Sequence, residues 1–386
     1  MANWSIPDNF ADILPRQARC LEAMRRASLD LFASHGFELV QPPMVEFVDS
    51  LLTGTGSDVS NNTFRFMDQS GGGGRMIGLR ADMTPQIARI DAHILNRPGV
   101  TRLCYAGSVL HARPMHPLAS REPVVAGAEI FGASGLDTDL QIMRLAVETL
   151  RTLGVQSVHL DIGHTAVVRA LIGENLNDEG VHSIVRALRT KDPVALEAAA
   201  GNLSAEAVEA LQLLMRTFGD VAVLDELAAK LPQKPEILAA LEEVRVLSRE
   251  CGADEVSFDF CDVHGYQYLT GITFAAHLPQ SAQAVLRGGR YDGVGLAFGR
   301  SRPACGFTVY LRILSDLGLS EDRLPECCVV RGRVDSHLAA YVASLRKEGR
   351  AVVCLFEGES PEDLREQFRV THEVVRMADG FALVPL

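Results

Sequence analysis

The chain lacks the marks of export and of membrane insertion. Its first fifteen residues, MANWSIPDNFADILP, carry acidic residues and prolines where a secretory signal needs a basic start and an apolar run. No uninterrupted apolar stretch approaches the roughly 18 residues of a membrane span. These absences predict a cytoplasmic protein. Its eight cysteines (Cys20, Cys104, Cys251, Cys261, Cys305, Cys327, Cys328, Cys354) form no C-x-x-C pair and have no histidines at structural-zinc spacing. They read as reduced, buried thiols. Basic charge is also short, with 37 Lys and Arg against 49 Asp and Glu and a formal net charge of −12. A broad phosphate-binding surface is therefore disfavoured. Four consecutive glycines at 71–74 lack a following Lys-Ser/Thr and lead into a strand-like segment, so they read as a hairpin tip and not a phosphate loop. His111 and His116 sit in a loop without acidic or cysteine companions and predict no metal. What the chain does have is 47% apolar residues and 22% charge over 386 positions, enough for a packed core in one to three domains.

Leu21, Met24, Ser28, Leu31 and Phe32 recur at helical spacing before Gly36, which predicts a helix over 16–35. FELVQPPMVEF (37–47) reads as β-type, and TFRFMD and RMIGLR flank QSGGGG as a hairpin. In LRADMTPQIARIDA (79–92), Thr84 reads as an N-cap with Pro85 at the first helical position, so the segment is a strand-to-helix junction. On the residues alone, Arg80 and Asp82 there would form an internal salt bridge. LCYAGSVL (103–110) and VVAGAEIFG (124–132) are strand-like, and Asp137 or Asp139 opens a helix closed by Gly154. SVHLDIG reads as a short strand. From about 165 to 250, Ala, Leu, Glu and Val at helical spacing, with starts at Asp192-Pro193, Ser204 and Lys234-Pro235, predict an all-helical insertion. EVSFDFCD, YQYLTGITFAA and AQAVLRGG predict three consecutive antiparallel strands. CCVVRG, HLAAYVASLRKEG and AVVCLFEG make a strand-helix-strand tail.

Six segments occur in the order found in histidyl-tRNA synthetase, a class II aminoacyl-tRNA synthetase. They are FADILP (10–15), GFELVQPPMVE (36–46), LRADMTPQIAR (79–89), REPVVAGAEIFG (121–132), YLTGITF (268–274) and GGRYDG (288–293), the last followed by PACGF (303–307). The chain resembles that family over roughly residues 8–314. The resemblance implies an α+β fold: a six- or seven-stranded antiparallel sheet with flanking helices and a helical insertion in a core over 1–318, then a small α/β domain over 319–386. It also implies a histidine-binding site. Asp82 would meet the ligand α-ammonium through charge-assisted hydrogen bonds, Thr84 would add a hydroxyl, Glu129 would accept from imidazole or ammonium, and Tyr268 would line the side-chain pocket. Arg113 belongs to the same implied site. The plainer reading of Tyr268 is a core aromatic.

The departures from the synthetase pattern are specific. Leu110 stands where the second class motif supplies an arginine. The third motif's arginine falls on Ile313, with Arg312 one residue away and about 100° round a helix. His264 replaces the arginine of the histidine loop, Tyr268-Leu269 replaces a tyrosine pair, and Ala126 replaces a glutamine. Arg121 remains, outside the main phosphate-contacting position. Losing one preorganised phosphate ligand costs about a hundred- to a thousandfold, so several losses argue against amino-acid activation. After Arg312 only 386 − 312 = 74 residues remain, too few for a full anticodon-reading domain.

This combination resembles the regulatory subunits of ATP phosphoribosyltransferase, in which a synthetase fold supports and controls a short catalytic chain in the first step of histidine biosynthesis. The resemblance implies no catalytic residues, no cofactor and no metal in this chain. It implies a hetero-oligomer with the short catalytic subunit, a hetero-octamer built on homodimers that pair partly through residues 37–60. Histidine would be the effector, with no tRNA and no membrane. Leu110 and Ala126 also depart from polar residues expected in this second family. A divergent working synthetase and an amino-acid-binding pseudo-synthetase scaffold remain as alternatives.

Overall fold

The structure is a computed structural model that describes residues 5–53, 57–69, 74–173, 176–201, 203–319 and 324–386. The chain divides into two compact units, Met1–Ser320 and Glu321–Leu386.

In the first unit, α1 (Pro15–Ser34) buries Leu21, Met24, Ser28 and Phe32 on one face, as their spacing predicts. The β-type run after it divides into β1 (Glu38–Leu39) and β2 (Val45–Phe47), because Pro42 and Pro43 between them cannot donate to a ladder. Short helices α2 (Val48–Leu52) and α3 (Ser57–Asn62) lead to β3 (Arg65–Met67) and β4 (Met76–Leu79). Met67 pairs with Met76 in an antiparallel hairpin, and β2 adds to make a small sheet of order β2-β4-β3. Of the tip QSGGGG (69–74), residues 70–73 lie outside the described residues. Helix α4 (Thr84–Arg89) continues into a π-helical turn over Ile90–Leu95.

The site rests on a larger sheet. β5 (Thr101–Ser108) and β6 (Val124–Phe131) precede α5 (Leu136–Thr152), and β7 (His159–His164) precedes the insertion. That insertion comprises α6 (Thr165–Ile172), α7 (Asp178–Thr190), α8 (Pro193–Ala199), α9 (Ala205–Arg216), α10 (Ala222–Lys230) and α11 (Pro235–Glu250). Asp192 and Ser204 cap α8 and α9 through their side chains as the sequence predicts. Then follow β8 (Glu255–Phe258), β9 (Ile272–His277), β10 (Leu286–Arg290), β11 (Ala304–Tyr310) and α12 (Leu311–Asp316).

Among the described residues these strands form an eight-stranded sheet of order β1-β5-β6-β11-β10-β9-β7-β8. Its six central strands are antiparallel, and the edge pairs β1–β5 and β7–β8 are parallel. The sequence expectation of β8, β9 and β10 as a consecutive antiparallel trio is thus corrected. β8 lies parallel to β7, because the polar turns between Phe258 and Ile272 do not close a hairpin. One face of the sheet carries Cys104, Ala126, Ala128 and Ile130 into the main core with α1, α5 and α11. The other carries Leu103, Tyr105, Val125 and Phe131 towards α4. Each large apolar side chain buried this way contributes about 1.5–3 kcal/mol before entropy is counted. The helix expected to open on Asp137 or Asp139 begins at Leu136 after Gly135. Asp139 is buried instead, in an ion pair with Arg290 at 2.6 Å.

The second unit holds β12 (Glu326–Val330), α13 (Ser336–Lys347), β13 (Ala351–Cys354), β14 (Arg369–Met377) and β15 (Gly380–Pro385), with sheet order β13-β12-β14-β15. The strand-helix-strand expectation missed the β14–β15 hairpin. Thr371, His372, Glu373 and Arg376 place polar groups on both faces of β14, which hides the alternation. Asp335 caps α13 by accepting from the Leu338 N–H at 2.9 Å, and Leu338, Val342 and Leu345 pack on Val330, Val352 and Val374.

Candidate functional site

Two transverse rows on one face of the eight-stranded sheet build a cavity of about 210 Å³. Directly paired residues share a face. The first row runs Tyr105, Gly127, Thr308, Arg287, Ala275, Asp161 across β5, β6, β11, β10, β9 and β7. The second, two residues along each strand, runs Leu103, Glu129, Gly306, Gly289, Thr273, Gly163. The glycines of the second row make a floor. A Cβ at Gly306 would overlap the Glu129 carboxylate, and one at Gly127 would overlap the Tyr105 ring.

The acidic end is built from β6 and the β4–α4 junction. Glu129 is 1% exposed, and its carboxylate accepts from the hydroxyls of Thr84 (3.0 Å), Tyr105 (3.2 Å) and Tyr291. Burial raises its pKa to about 8, which those three hydrogen bonds only partly offset. Asp82 keeps surface towards the cavity, yet desolvation by the surrounding protein also raises its pKa, against the Thr84 N–H that it accepts at 3.1 Å. Burial and the nearby Glu129 charge raise the phenols of Tyr105 and Tyr291 as well, so both remain donors. His111 donates Nε2–H to the Ala81 carbonyl at 3.1 Å, which leaves Nδ1 as its acceptor nitrogen.

The remaining carboxylates of the cavity wall have cationic or imidazole partners. Asp259 meets Lys191 at 2.8 Å, and Asp161 lies 3.6 Å from His277 and 3.4 Å from His159. Asp262 bonds to His264 and to Arg287 at 2.9 Å. Although burial opposes it, these partners hold Asp262 well below the usual carboxylate range. Asp82 and Glu129 thus form an acidic pole with no cation beside it among the described residues. Such a pole accepts a positively charged or N–H-rich ligand.

The residues singled out from sequence fall in different places. Asp82, Thr84, Glu129 and Tyr268 all line this cavity, and Tyr268 packs edge-to-face on Tyr291 at 6.4 Å. Arg113 is exposed and is not among the lining residues, although His111 and Met115 of the same loop are. Arg80 and Asp82 form no salt bridge. Arg80 donates to the carbonyls of Ser108 (2.9 Å) and Pro42 (2.8 Å), fastening β4 to β5. Thr84 is the first helical residue of α4 and no N-cap; Met83 holds the cap position without a side-chain bond, which frees the Thr84 hydroxyl for Glu129. Ala126 faces the main core on the opposite side of β6, so no side chain at that position reaches the cavity. Leu110 donates its backbone N–H to Arg80, Ile313 packs on the main core, and Arg312 is buried off the cavity. Arg121 is spent on the carbonyls of His111 and Ala112 and on the faces of Phe10 and Phe64.

Sequence reasoning missed Tyr105, Tyr291, Thr308, Asp262 and Arg287. For all but Asp262, which had none, the signal was glycine in or near strand-like runs, AGAE, RGG and CGF, which marks close approach of backbone and another group.

Residues 9–314 match the family model for histidyl-tRNA synthetase. A protein of Ralstonia nicotianae is 45% identical over 371 residues, covering 95% of this chain and 94% of its own length. One of Cupriavidus necator is 42% identical over 384 residues, covering 99% of each chain. Both are named ATP phosphoribosyltransferase regulatory subunit. This chain belongs to that family. A Bacillus halodurans C crystal structure, described as an ATP phosphoribosyltransferase regulatory subunit/histidyl-tRNA synthetase, has the same fold. Its TM-score is 0.81 at 24% identity, with 95% of this chain and 97% of that one covered. As an ATP phosphoribosyltransferase regulatory subunit, the chain has a sheet cavity whose only arginine or lysine lining, among the described residues, is Arg287.

Proposed function

We propose that this regulatory subunit binds free histidine in the sheet cavity and has no catalysis of its own. In this reading it works as the histidine-sensing partner of a short-form ATP phosphoribosyltransferase catalytic subunit in the cytoplasm. The observation that carries it is the acidic pole of Asp82 and Glu129, dressed by three hydroxyls, in a cavity of about 210 Å³. That volume is on the scale of an amino acid, and smaller than the roughly 300–1,000 Å³ of pockets for larger ligands. Adenylate transfer needs cations aimed at a developing phosphate charge. Arg113, Arg121 and Arg312 all lie off the cavity, and Leu110 and Ile313 carry no charge.

Control would be allosteric in the thermodynamic sense. Contacts with the catalytic subunit favour its active arrangement, and histidine binds one state of the assembly better than the other. No tRNA partner is proposed. For self-association, the small sheet exposes Val45, Phe47, Phe66, Met67 and Met76, a patch that fits a homodimer formed partly through residues 37–60 and extended by catalytic chains to a hetero-octamer. Sedimentation of the purified chain at micromolar concentration reads a dimer, and a monomer contradicts this arrangement.

The deciding experiment mixes the chain with a short-form catalytic subunit and measures ATP phosphoribosyl transfer, with histidine-dependent ATP–pyrophosphate exchange as a parallel assay. The expected result is activity of the mixture, inhibited by histidine, with no exchange. Robust exchange points to a working synthetase, and an inactive mixture with retained histidine binding points to an amino-acid-binding scaffold.

A further inference from the structure

Arg287 is the one guanidinium facing the cavity among the described residues, and the sequence marked it only through the glycines that follow it. It occupies the middle of the first transverse row, between Thr308 of β11 and Ala275 of β9. Only β11 separates it from β6, so its backbone lies about 10 Å from the Glu129 strand, two inter-strand steps. Its side chain is 27% exposed. Nη1 bonds to Asp262 at 2.9 Å, and no other Arg287 nitrogen has a protein acceptor among the described residues. Asp262 is itself bound on its other oxygen by His264. Arg287 is thereby steadied through one nitrogen, and the rest of its fork is left for a second acceptor.

The opposite end of the cavity carries Asp82 and Glu129 without a cation. Tyr268 and Tyr310 both line the cavity, and each lies within electrostatic range of both Arg287 and Asp82. The cavity thus sets a guanidinium with free N–H groups two strands away from the strand that carries Glu129. We propose that Arg287 receives the α-carboxylate of the amino acid ligand, while Asp82 and Glu129 take its nitrogen groups. The two poles then select a zwitterion of amino-acid length against a bare amine or a bare acid. Arg287 is a binding residue of the same cavity, and the assignment rests on the histidine-binding reading given above. A purely structural role, in which Arg287 only holds the 262–264 turn through Asp262, is the competing account.

The two are separated by isothermal titration of the full chain with histidine and with histamine, which keeps the imidazole and amine and lacks the carboxylate. Wild type is expected to bind histidine at least about tenfold more tightly than histamine. Arg287→Gln should weaken histidine by about ten- to a hundredfold and change histamine by less than about twofold, because only the carboxylate contact is lost. Arg287→Lys, which keeps the charge without the fork, should recover part of the loss. Thermal melts of each variant check that the fold is intact. Equal weakening of both ligands by Arg287→Gln, no weakening of either, or a wild type indifferent to the carboxylate overturns the assignment and leaves the cavity reading standing. A wild type that binds neither ligand overturns the cavity reading itself, and the assignment with it.

Discussion

Glu129 concentrates the chemistry of the site in one side chain. Buried at 1% exposure, it keeps its proton up to about pH 8, whereas an unfolded glutamate gives it up near 4.5. The native state therefore binds more protons across that interval. The stability contributed by neutral Glu129 is fully present below about 4.5 and is lost as pH rises through about 8. The interval corresponds to an upper bound of about 5 kcal/mol, less in practice because Asp82 titrates beside it. Glu129→Gln cannot ionise. In denaturant unfolding its stability relative to wild type should rise by about 2–4 kcal/mol between about pH 5 and about pH 9. Parallel pH profiles would show that Glu129 titrates normally. At this scale Asp82, Thr84, Glu129 and Tyr268 were legible because each sits in a contiguous family-like segment. Arg287 was not, because its meaning depends on facing Thr308 and Asp262 across strands, which no local pattern records.

Among the elements, the glycine floor is the part that permits a cavity at all. Gly306, Gly289 and Gly163 lie where ordinary strand side chains would fill the space above the sheet. Gly306→Ala places a methyl against the Glu129 carboxylate and within 2.6 Å of the Ala128 carbonyl. It should cost about 1–3 kcal/mol of stability and abolish the heat of histidine binding. Unchanged binding would mean that the ligand does not approach β6 and β11. Helices were the most legible elements: α1, α5 and the insertion's α8, α9 and α11 follow from apolar spacing and from starts such as Asp192, Ser204 and Lys234-Pro235. Strand pairing was less so. EVSF reads correctly as a strand, but its parallel partner β7 lies a whole insertion earlier in the chain, and period-two alternation carries no information about direction. The β14–β15 hairpin escaped because polar residues occupy both of its faces.

For the whole molecule, family order of short segments was worth more than any single motif, since REPVVAGAEIFG, YLTGITF, GGRYDG and PACGF overlap β6, β9, β10 and β11, four strands of the eight-stranded sheet. The balance of charge follows the same division. A net charge of −12, and a cavity with one lining arginine among the described residues, go with the proposed reading, in which Asp82 and the buried Glu129 meet a small N–H-rich ligand. Asp82→Asn removes one charge of the acidic pole and preserves shape, so it leaves the surfaces that meet other subunits unchanged. The most direct measurement is the histidine concentration that half-inhibits the complex reconstituted with a short-form catalytic subunit, compared between wild type and Asp82→Asn at neutral pH. The account predicts equal activity without histidine and at least about a tenfold rise in that concentration for the variant. Identical inhibition of the two complexes would place the effector elsewhere and contradict it.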